Sequence, residues 1–330
     1  MAVKGWHTND LSGDTMRRSF GDLLEREPVI LAEGAVIERL RREFTVPLHP
    51  EVANAAFIYD GEGRRALETI YRQYVAAGEA HGLPLILSTP TWRANRERLA
   101  RADMAGRDVN GDNARFIAGL RDSCGSYGDR IVICGLLSCQ GDAYNPQGAL
   151  SVEAAREFHS FQASALAAAG IDFLLASTLP SLSEATGLAQ AMADTGKSYL
   201  VSFVVRPEGT LLDGTPLADA VSVIDASVSP HPLGYLVNCS HAAFFRAALC
   251  HERNSSPLVR RRILGLLANT AAMSPEELVG SPDLVTEPPE VFAAAVAALH
   301  RDFGMKILGG CCGTDGRHIR ALAKQLVVGH

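Results

Sequence analysis

The sequence of 330 residues predicts an α/β fold: a closed (β/α)8 barrel, or TIM barrel, that forms one domain over residues 1–330. Short runs rich in Val, Ile and Leu alternate with longer amphipathic stretches, which is typical of parallel strands covered by helices. Eight such units fit a closed barrel better than an open doubly wound sheet. The turn after the first run reads Glu33-Gly34-Ala35 and lacks the GxGxxG motif of an open dinucleotide-binding sheet.

The strands are predicted where an apolar, often β-branched run ends at Gly, Pro or a polar turn, as at Gly34 and Pro90. Residues 1–25 are expected to be an N-terminal lead-in to the first strand. The predicted strands are 29–33, 85–89, 130–137, 173–176, 199–205, 234–238, 263–268 and 306–308.

The helices are predicted where apolar residues recur at helical spacing, and the Ala-rich helix over 152–169 has Ser151 and Gly170 as cap residues. The others are expected at 64–80, 183–194, 217–226, 241–251, 289–303 and 317–327. Two stretches rich in Gly, Asp or Pro, 103–112 and 274–289, are expected to be loops.

Charge and composition exclude several classes of protein. Lys and Arg number 31 against 37 Asp and Glu, so no basic surplus favours a nucleic-acid partner. No apolar stretch approaches the ~18 residues of a membrane helix, and the first residues contain no apolar signal-peptide core. An odd count of seven cysteines argues against a disulfide framework. These features predict a cytoplasmic protein whose thiols are free, buried or bound to a metal.

Three cysteines are candidate metal ligands. Cys311 and Cys312 follow the eighth predicted strand, and adjacent side chains converge only where the backbone leaves the strand, which Gly309 and Gly310 allow. Cys239 ends the sixth predicted strand, and all strand ends of a barrel surround the same face. Three thiolates suit zinc and leave one position for a ligand. A Cys311–Cys312 disulfide is the alternative.

The remaining cysteines and two histidines are given structural interpretations. The cysteines expected to fill the core are Cys124, Cys134, Cys139 and Cys250. His241 is a candidate fourth ligand, although a histidine that begins a helix is expected to face solvent, and the same holds for His318.

The motif Gly-Gly-Cys-Cys-Gly-Thr over 309–314, with the upstream pair Asn238-Cys239, resembles the homocysteine S-methyltransferase family. Shorter stretches at 49–51, 88–92 and 176–180 are similar to other motifs of that family. The family includes betaine-dependent and S-methylmethionine-dependent enzymes and the homocysteine module of cobalamin-dependent methionine synthase. The resemblance implies a barrel in which Cys239, Cys311 and Cys312 hold zinc, with methyl transfer to homocysteine as a step in methionine biosynthesis.

This ligand set needs no side-chain base. A free alkyl thiol has a pKa near ~8.5, and direct coordination to zinc removes its proton. The resulting thiolate can attack a methyl group on a sulfonium, a quaternary ammonium or a corrinoid cobalt. No catalytic side chain is therefore predicted, and the expected partners are a small thiol acceptor and a methyl donor.

The resemblance also implies residues that contact substrate, and two of them depart from the family pattern. Glu33 stands where the family usually has Asp, and Ser177 where it usually has a Glu that binds the substrate ammonium. Either Glu33 compensates, or the acceptor is a different thiol, or Ser177 is a small residue at the barrel mouth that makes no substrate contact. The other implied contacts are Gly34, Thr89 and Asn238. Trp92 is a candidate for cation–π contact with a cationic methyl group, or else a core residue.

The compact length resembles the S-methylmethionine-dependent branch, so a sulfonium donor is expected; betaine, or a corrinoid carried by a separate protein, are alternatives. The oligomeric state is not predicted. Two other classes of function remain open. A zinc hydrolase would lack the histidine and carboxylate ligands that such sites prefer. A non-catalytic zinc or redox-sensing barrel would need a fourth protein ligand, for which His241 is the candidate.

Overall fold

A computed structural model confirms the predicted barrel. Eight parallel strands pair in chain order, and β8 closes the sheet against β1. The structure describes residues 19–44, 46–273, 277 and 285–328. The strands are β1 (Ile30–Ala32), β2 (Leu85–Ser88), β3 (Ile131–Ser138), β4 (Phe173–Leu179), β5 (Tyr199–Phe203), β6 (Gly234–His241), β7 (Ile263–Asn269) and β8 (Ile307–Gly310).

Helices cover the outside of the sheet and fill the connections between strands. The α-helices are α1 (Phe20–Arg26), α2 (Ile37–Glu43), α3 (Gly61–Glu79), α4 (Arg96–Arg101), α5 (Val109–Asp122), α6 (Val152–Ala168), α7 (Leu182–Ala193), α8 (Leu217–Ser227), α9 (Ala242–Cys250), α10 (Pro257–Arg262), α11 (Pro289–Phe303) and α12 (Gly316–Val328). Short 3-10 helices span Asn54–Tyr59, Gly125–Arg130, Pro146–Gly148 and Glu252–Asn254.

The strands are apolar throughout because both of their faces are buried. Leu31 joins the large outer core between sheet and helices, whereas its neighbours Ile30 and Ala32 join a smaller core inside the barrel. The same alternation continues on β2, where Ile86 points inward. Two buried faces explain why the strands read as continuous apolar runs and not as alternating ones.

The described part of the predicted lead-in forms α1, which closes one end of the barrel. Phe20 is 1% exposed and stacks on Phe173 with ring centroids 3.7 Å apart. The Lys306 ammonium donates to the Leu24 carbonyl just before β8 begins. Helix α1 therefore covers the ends at which the strands start and leaves the opposite ends accessible.

The prediction of a loop over 103–112 is wrong from residue 109 onward, and α2, α4 and α10 form where no helix was predicted. Helix α5 begins at Val109, with the Asp108 carboxylate accepting from the Gly111 N–H. Asn110 and Asn113 are 2% and 0% exposed, and their amides donate to backbone carbonyls. Tertiary hydrogen bonds thus stabilise a helix in a Gly- and Asn-containing segment of weak intrinsic propensity. Of the second predicted loop, residues 274–276 and 278–284 lie outside the described residues, and Pro289 begins α11.

Strands β4 and β6 are longer than predicted, by three residues each. Each contains a register shift, after Ala176 in β4 and between Asn238 and Ser240 in β6, and each continues beyond it. The apolar pattern stops at these irregularities, which is why the prediction ended there. The two bulges lie at the accessible ends of the strands. In the described ranges, no helix combines the length and the apolar character needed to cross a bilayer.

Candidate metal centre

Three sulfur atoms converge at the accessible end of the barrel. The Sγ atoms of Cys239, Cys311 and Cys312 lie within 4.8 Å of one another, and those of Cys239 and Cys311 are 2.9 Å apart. Cys239 is buried, and the other two side chains are half-buried. All three are free thiols, so the alternative of a Cys311–Cys312 disulfide is not what the structure shows. Within the described ranges, these three residues form the group with metal-ligand spacing.

The β6 bulge brings Cys239 into this cluster. Cys239 has φ +52°, an unusual value for a residue other than glycine, and it lies where the β6–β7 register shifts. Backbone conformations of this kind persist only where surrounding contacts hold them. The bulge turns the Cys239 side chain away from the regular strand alternation.

Asn238 supplies those contacts by joining the β6 bulge to the β4 bulge. Its Oδ1 accepts from the Thr178 N–H at 2.9 Å and from the Ser202 hydroxyl at 2.6 Å. Its Nδ2 donates to the Thr178 hydroxyl at 2.6 Å and approaches Cys239 Sγ at 3.4 Å. Thr178 itself has φ +60°. One amide, 2% exposed, thus fixes both irregular strand ends.

Cys311 and Cys312 are fixed through their backbone, as the glycine-flanked motif predicts. The Cys311 N–H donates to the Ala268 carbonyl at 2.7 Å, and the Cys312 N–H donates to Asn269 Oδ1 at 3.1 Å. The pair follows the last residue of β8, where a Cβ on Gly310 would lie 2.3 Å from Thr314 Oγ1. The turn therefore needs glycine because it is too crowded for a side chain.

The three thiols perturb one another strongly. Hydrogen-bonding contact with the Cys311 and Cys312 thiols lowers the pKa of Cys239. The same contacts raise the pKa of Cys311. Three thiolates at this separation repel one another, so a cation is needed to ionise all of them. A soft all-sulfur donor set fits zinc among the common metals.

Tyr144 also reaches the cluster, although it was not among the predicted site residues. It lies on the loop between β3 and α6 and packs against the three cysteines together with Val204 and Leu212. The charge of Cys239 together with burial raises the pKa of Tyr144. Because Tyr144 is 95 residues from Cys239 in the chain and belongs to no local motif, no signal in the sequence identified it.

A cavity of ≈ 570 Å³ adjoins the sulfur cluster. The structure brings together around it every residue predicted to contact substrate, with the three cysteines in its wall. Those residues are Glu33, Gly34, Thr89, Trp92, Ser177 and Asn238.

Several of these side chains already have partners in the protein. Thr89 is fully buried, and its Oγ1 accepts from the Leu136 N–H at 3.0 Å and lies 2.7 Å from Thr91 Oγ1. Ser177 Oγ lies 3.2 Å from Thr178 Oγ1. Gly34 leaves no room for a side chain, because a Cβ there would lie 2.9 Å from Thr314 Oγ1.

Glu33 is the acidic side chain at the end of β1. Its Oε2 accepts from the Ser88 N–H at 2.9 Å. Burial raises the pKa of Glu33 to about 8, although the Ser88 N–H opposes the change. A cationic group bound nearby would favour the charged form.

Trp92 is half-buried and lines the cavity, so the alternative that it is a barrel-core residue is not what the structure shows. The Arg93 guanidinium lies 4.1 Å from its ring centroid. Trp92 and Arg41 also line a second cavity of ≈ 590 Å³, to which Arg93, Arg98 and Glu51 contribute. Glu51 pairs with Arg98 and Arg101, so the second cavity keeps a positive excess.

Both histidines expected to face solvent are in fact buried. His241 is 9% exposed; its Nδ1 accepts from the Ala243 N–H at 3.2 Å, and its Nε2 lies 3.4 Å from Glu287 Oε1. His318 is 1% exposed and contacts Asp315. Both ring nitrogens of His241 are therefore engaged outside the sulfur cluster. Of the cysteines expected in the core, Cys134 and Cys139 are buried, Cys124 is half-buried, and Cys250 is exposed.

Comparison with known proteins identifies the family. The profile of the family described as homocysteine S-methyltransferase matches residues 30–326. Homocysteine S-methyltransferase of Escherichia coli (strain K12) is 31% identical over 91% of this chain and 96% of its own length. Betaine–homocysteine S-methyltransferase 1 of Rattus norvegicus is 22% identical over 96% of this chain and 76% of its own.

The crystal structure of the homocysteine methyltransferase MmuM from Escherichia coli, in its metallated form, has the same fold. It superposes with a TM-score of 0.73 at 21% identity and covers 92% of this chain and 98% of that one. With the family profile matched over nearly the whole barrel, the chain belongs to the homocysteine S-methyltransferase family and is a methyltransferase.

Proposed function

We propose that this chain is a zinc-dependent enzyme that moves a methyl group from a sulfonium donor of the S-methylmethionine type to the sulfur of homocysteine, giving methionine. The observation that carries the proposal is the convergence of three cysteine sulfurs, within 4.8 Å of one another, in the wall of a cavity large enough for two small substrates. The family provides the acceptor class.

Cys239, Cys311 and Cys312 would hold the zinc ion. The donor set supports this assignment because it is all sulfur and because the three Sγ atoms lie within 4.8 Å of one another. Zinc, when bound, supplies a Lewis acid that lowers the pKa of an acceptor thiol in contact with it. His241, whose ring nitrogens are engaged elsewhere, does not support a closed four-ligand structural site.

The chain's own residues would orient the two substrates. Ser177 carries no charge, so Glu33 is the carboxylate in the cavity wall that would accept a hydrogen bond from the ammonium group of homocysteine. Asn238, Thr89 and Gly34 would shape the surface around the acceptor. In the reaction, the sulfur of the acceptor forms a bond to the methyl carbon, the donor keeps the electron pair of its broken S–C bond, and the thiol proton leaves to solvent. Catalysis then rests on alignment and on the nucleophile.

The two adjoining cavities favour a donor with a cationic methyl group and an anionic end. The Trp92 ring can contact a sulfonium methyl group, and Arg41 and Arg93 can contact a carboxylate. Glycine betaine also has both features, and the betaine enzymes among the relatives keep that donor as the alternative. Rates with S-methylmethionine and with glycine betaine, at equal homocysteine concentrations, distinguish the two.

Ser177 supports a second candidate, in which the acceptor is a thiol without an ammonium group. Its hydroxyl provides no counter-charge at the position where the family usually has Glu. We expect homocysteine to react faster than 4-mercaptobutyrate, which keeps the thiol and the carboxylate but lacks the amine. Equal or faster reaction of 4-mercaptobutyrate would establish the second candidate instead.

The decisive experiment combines metal analysis with zinc-edge X-ray absorption. We expect about one zinc per chain, loss of methyl transfer on chelation, and recovery when zinc alone is restored. Adding homocysteine should change the zinc environment from three sulfurs to four. An unchanged sulfur count, with no methyl transfer from either donor, would favour a structural or redox-sensing metal site and refute the proposal.

A further inference from the structure

A buried carboxylate–imidazole pair lies between α6 and α7, outside the cavity lining, and the proposed reaction does not use it. Nε2 of His159, on α6, lies 3.1 Å from Oε1 of Glu184, on α7. The two residues are 0% and 1% exposed. Burying a carboxylate is costly, and apolar residues of similar size would pack two helices at least as well. Helix packing alone therefore does not account for Glu184.

The same carboxylate oxygen is bonded to the loop that carries Tyr144. Oε1 of Glu184 accepts from the Gln140 N–H at 2.7 Å. Gln140 is the second residue after β3 and begins the segment that leads to Tyr144. Oε1 of Glu184 thus joins α6, α7 and the start of this loop at one atom.

The next peptide groups along the chain are held as well. Arg93 Nη1 donates to the Gln140 carbonyl at 3.3 Å and to the Gly141 carbonyl at 2.7 Å. The Arg93 guanidinium in turn lies over the Trp92 ring in the cavity wall. The Gln140–Gly141 segment is therefore hydrogen-bonded both to the buried Glu184 carboxylate and to the Arg93 guanidinium, which stacks on a residue of the cavity wall.

His159 has one proton placement that leaves no unpaired donor. Its Nδ1 is buried and, among the described residues, has no hydrogen-bond partner. A proton there would leave a buried N–H unsatisfied, so the tautomer with its proton on Nε2 is favoured. In that form His159 donates to Oε1 of Glu184. This bond orients the Glu184 carboxylate so that the same oxygen can accept from the Gln140 N–H.

We propose that Glu184, oriented by His159, is a positioning residue for methyl transfer: its bond to the Gln140 N–H holds the β3–α6 loop so that Tyr144 reaches the cysteine cluster. This inference rests on the proposed function for its kinetic part. Its structural part, the coupling of Glu184 to the position of Tyr144, can be tested without any activity.

The chain offers a matched control. Arg156 of α6 makes two bonds of 2.8 Å to Asp194, the C-cap residue of α7, so it joins the same helices without touching the loop. The variants are Glu184→Leu, Glu184→Gln and Asp194→Asn. Leu removes the acceptor of the Gln140 N–H, whereas Gln keeps an Oε1 that can accept from it.

Amide hydrogen exchange of the full-length chain tests the structural part. We expect Glu184→Leu to accelerate exchange in residues 139–149, Glu184→Gln to restore most of the protection, and Asp194→Asn to change nothing there. Should Glu184→Leu fail to fold, Gln140→Pro, which deletes the N–H itself, carries the same expectation. Wild-type exchange in Glu184→Leu or Gln140→Pro overturns the inference, as does equal acceleration in Asp194→Asn.

Kinetics of the zinc-loaded enzyme test the consequence. A loop misplaced by about 1 Å costs up to ~100-fold in rate, so we expect Glu184→Leu to lower kcat/KM by about 10- to 100-fold. Because Glu184 acts through Tyr144, the double variant with Tyr144→Phe should fall no further than the more affected single variant. Multiplied losses overturn the proposed route through Tyr144. Absence of methyl transfer in the wild type would refute the proposed function while leaving the exchange result to decide the coupling.

Discussion

Two strand ends of the barrel, called here the β6 arm (residues 238–241) and the β8 arm (residues 309–314), bring cysteine sulfur atoms to the same point by opposite means. The β8 arm relies on glycines: Gly309 and Gly310 precede the cysteine pair and leave room for a tightly packed turn. The β6 arm has no glycine at the bend, and Cys239 itself takes φ +52°. There the conformation is held by the Asn238 amide, which bonds to a second bulge on β4. The β8 arm thus depends on the absence of side chains at its glycines, and the β6 arm depends on the Asn238 side chain.

The difference has an energetic consequence. A non-glycine residue at positive φ costs about 1–2 kcal/mol, and each internal hydrogen bond contributes about 0.5–1.5 kcal/mol. The Asn238 bonds are therefore of the right size to offset the cost of the two bulged residues, Thr178 and Cys239. The β6 arm should be sensitive to loss of contacts, and the β8 arm to added volume.

The largest effect is expected from removing a cysteine, because both arms end in the same sulfur cluster. Cys239→Ser and Cys312→Ser each remove one of the three proposed zinc ligands, so each should lower zinc content and reduce methyl transfer more than ~100-fold. Metal analysis and initial rates measure this, with Cys250→Ser at an exposed thiol as the control. Near-normal zinc content and rate in either variant would show that its arm is dispensable.

Added volume should damage the β8 arm. A Cβ on Gly309 would lie 2.7 Å from the Ala32 Cβ and 2.8 Å from the Ala32 carbonyl oxygen, so Gly309→Ala should lower the free energy of unfolding by about 3 kcal/mol. Denaturant unfolding measures the change. Gly148→Ala, where a Cβ would meet nothing within 4 Å, serves as the control. Equal midpoints for both variants contradict the crowding argument.

Loss of contacts should damage the β6 arm. Asn238→Ala removes the amide that bonds Thr178 and Ser202, and we expect it to cost about 2 kcal/mol and to weaken zinc binding. Competition with a chromogenic chelator measures the affinity, and Asn145→Ala, in an exposed cap, is the control. If zinc affinity stays normal, the Cys239 conformation does not depend on Asn238.

A separate prediction concerns Glu33, which lies outside both arms. Burial raises its pKa from 4.5 to about 8, so between these values the folded protein retains a proton that the unfolded chain releases. Stability should therefore decrease as pH rises from about 4.5 to 8, and Glu33→Gln should reduce that slope without altering zinc content. Unfolding at several pH values measures it. An unchanged slope would show that Glu33 does not titrate in this window.

The outline of the fold was predictable because it depends on a repeating pattern. Eight buried apolar runs and their covering helices indicate a closed barrel, and the structure confirms it. The Asp108–Asp122 region was missed because its helix depends on tertiary bonds from Asn110 and Asn113, which no local periodicity reveals. The ends of β4 and β6 were missed because a bulge interrupts the pattern from which strands are predicted.

The candidate site divides in the same way. Gly309 to Thr314 form one contiguous motif, so the sequence by itself determined that two cysteines leave a strand together and that Cys239 is their candidate partner. Tyr144, the Asn238 bridge and the Glu184–Gln140 contact depend on segments that meet only when the barrel closes. A motif of adjacent residues can be recognised in the sequence alone. Contacts between distant residues are set by register and by bulges, so only the tertiary structure decided them.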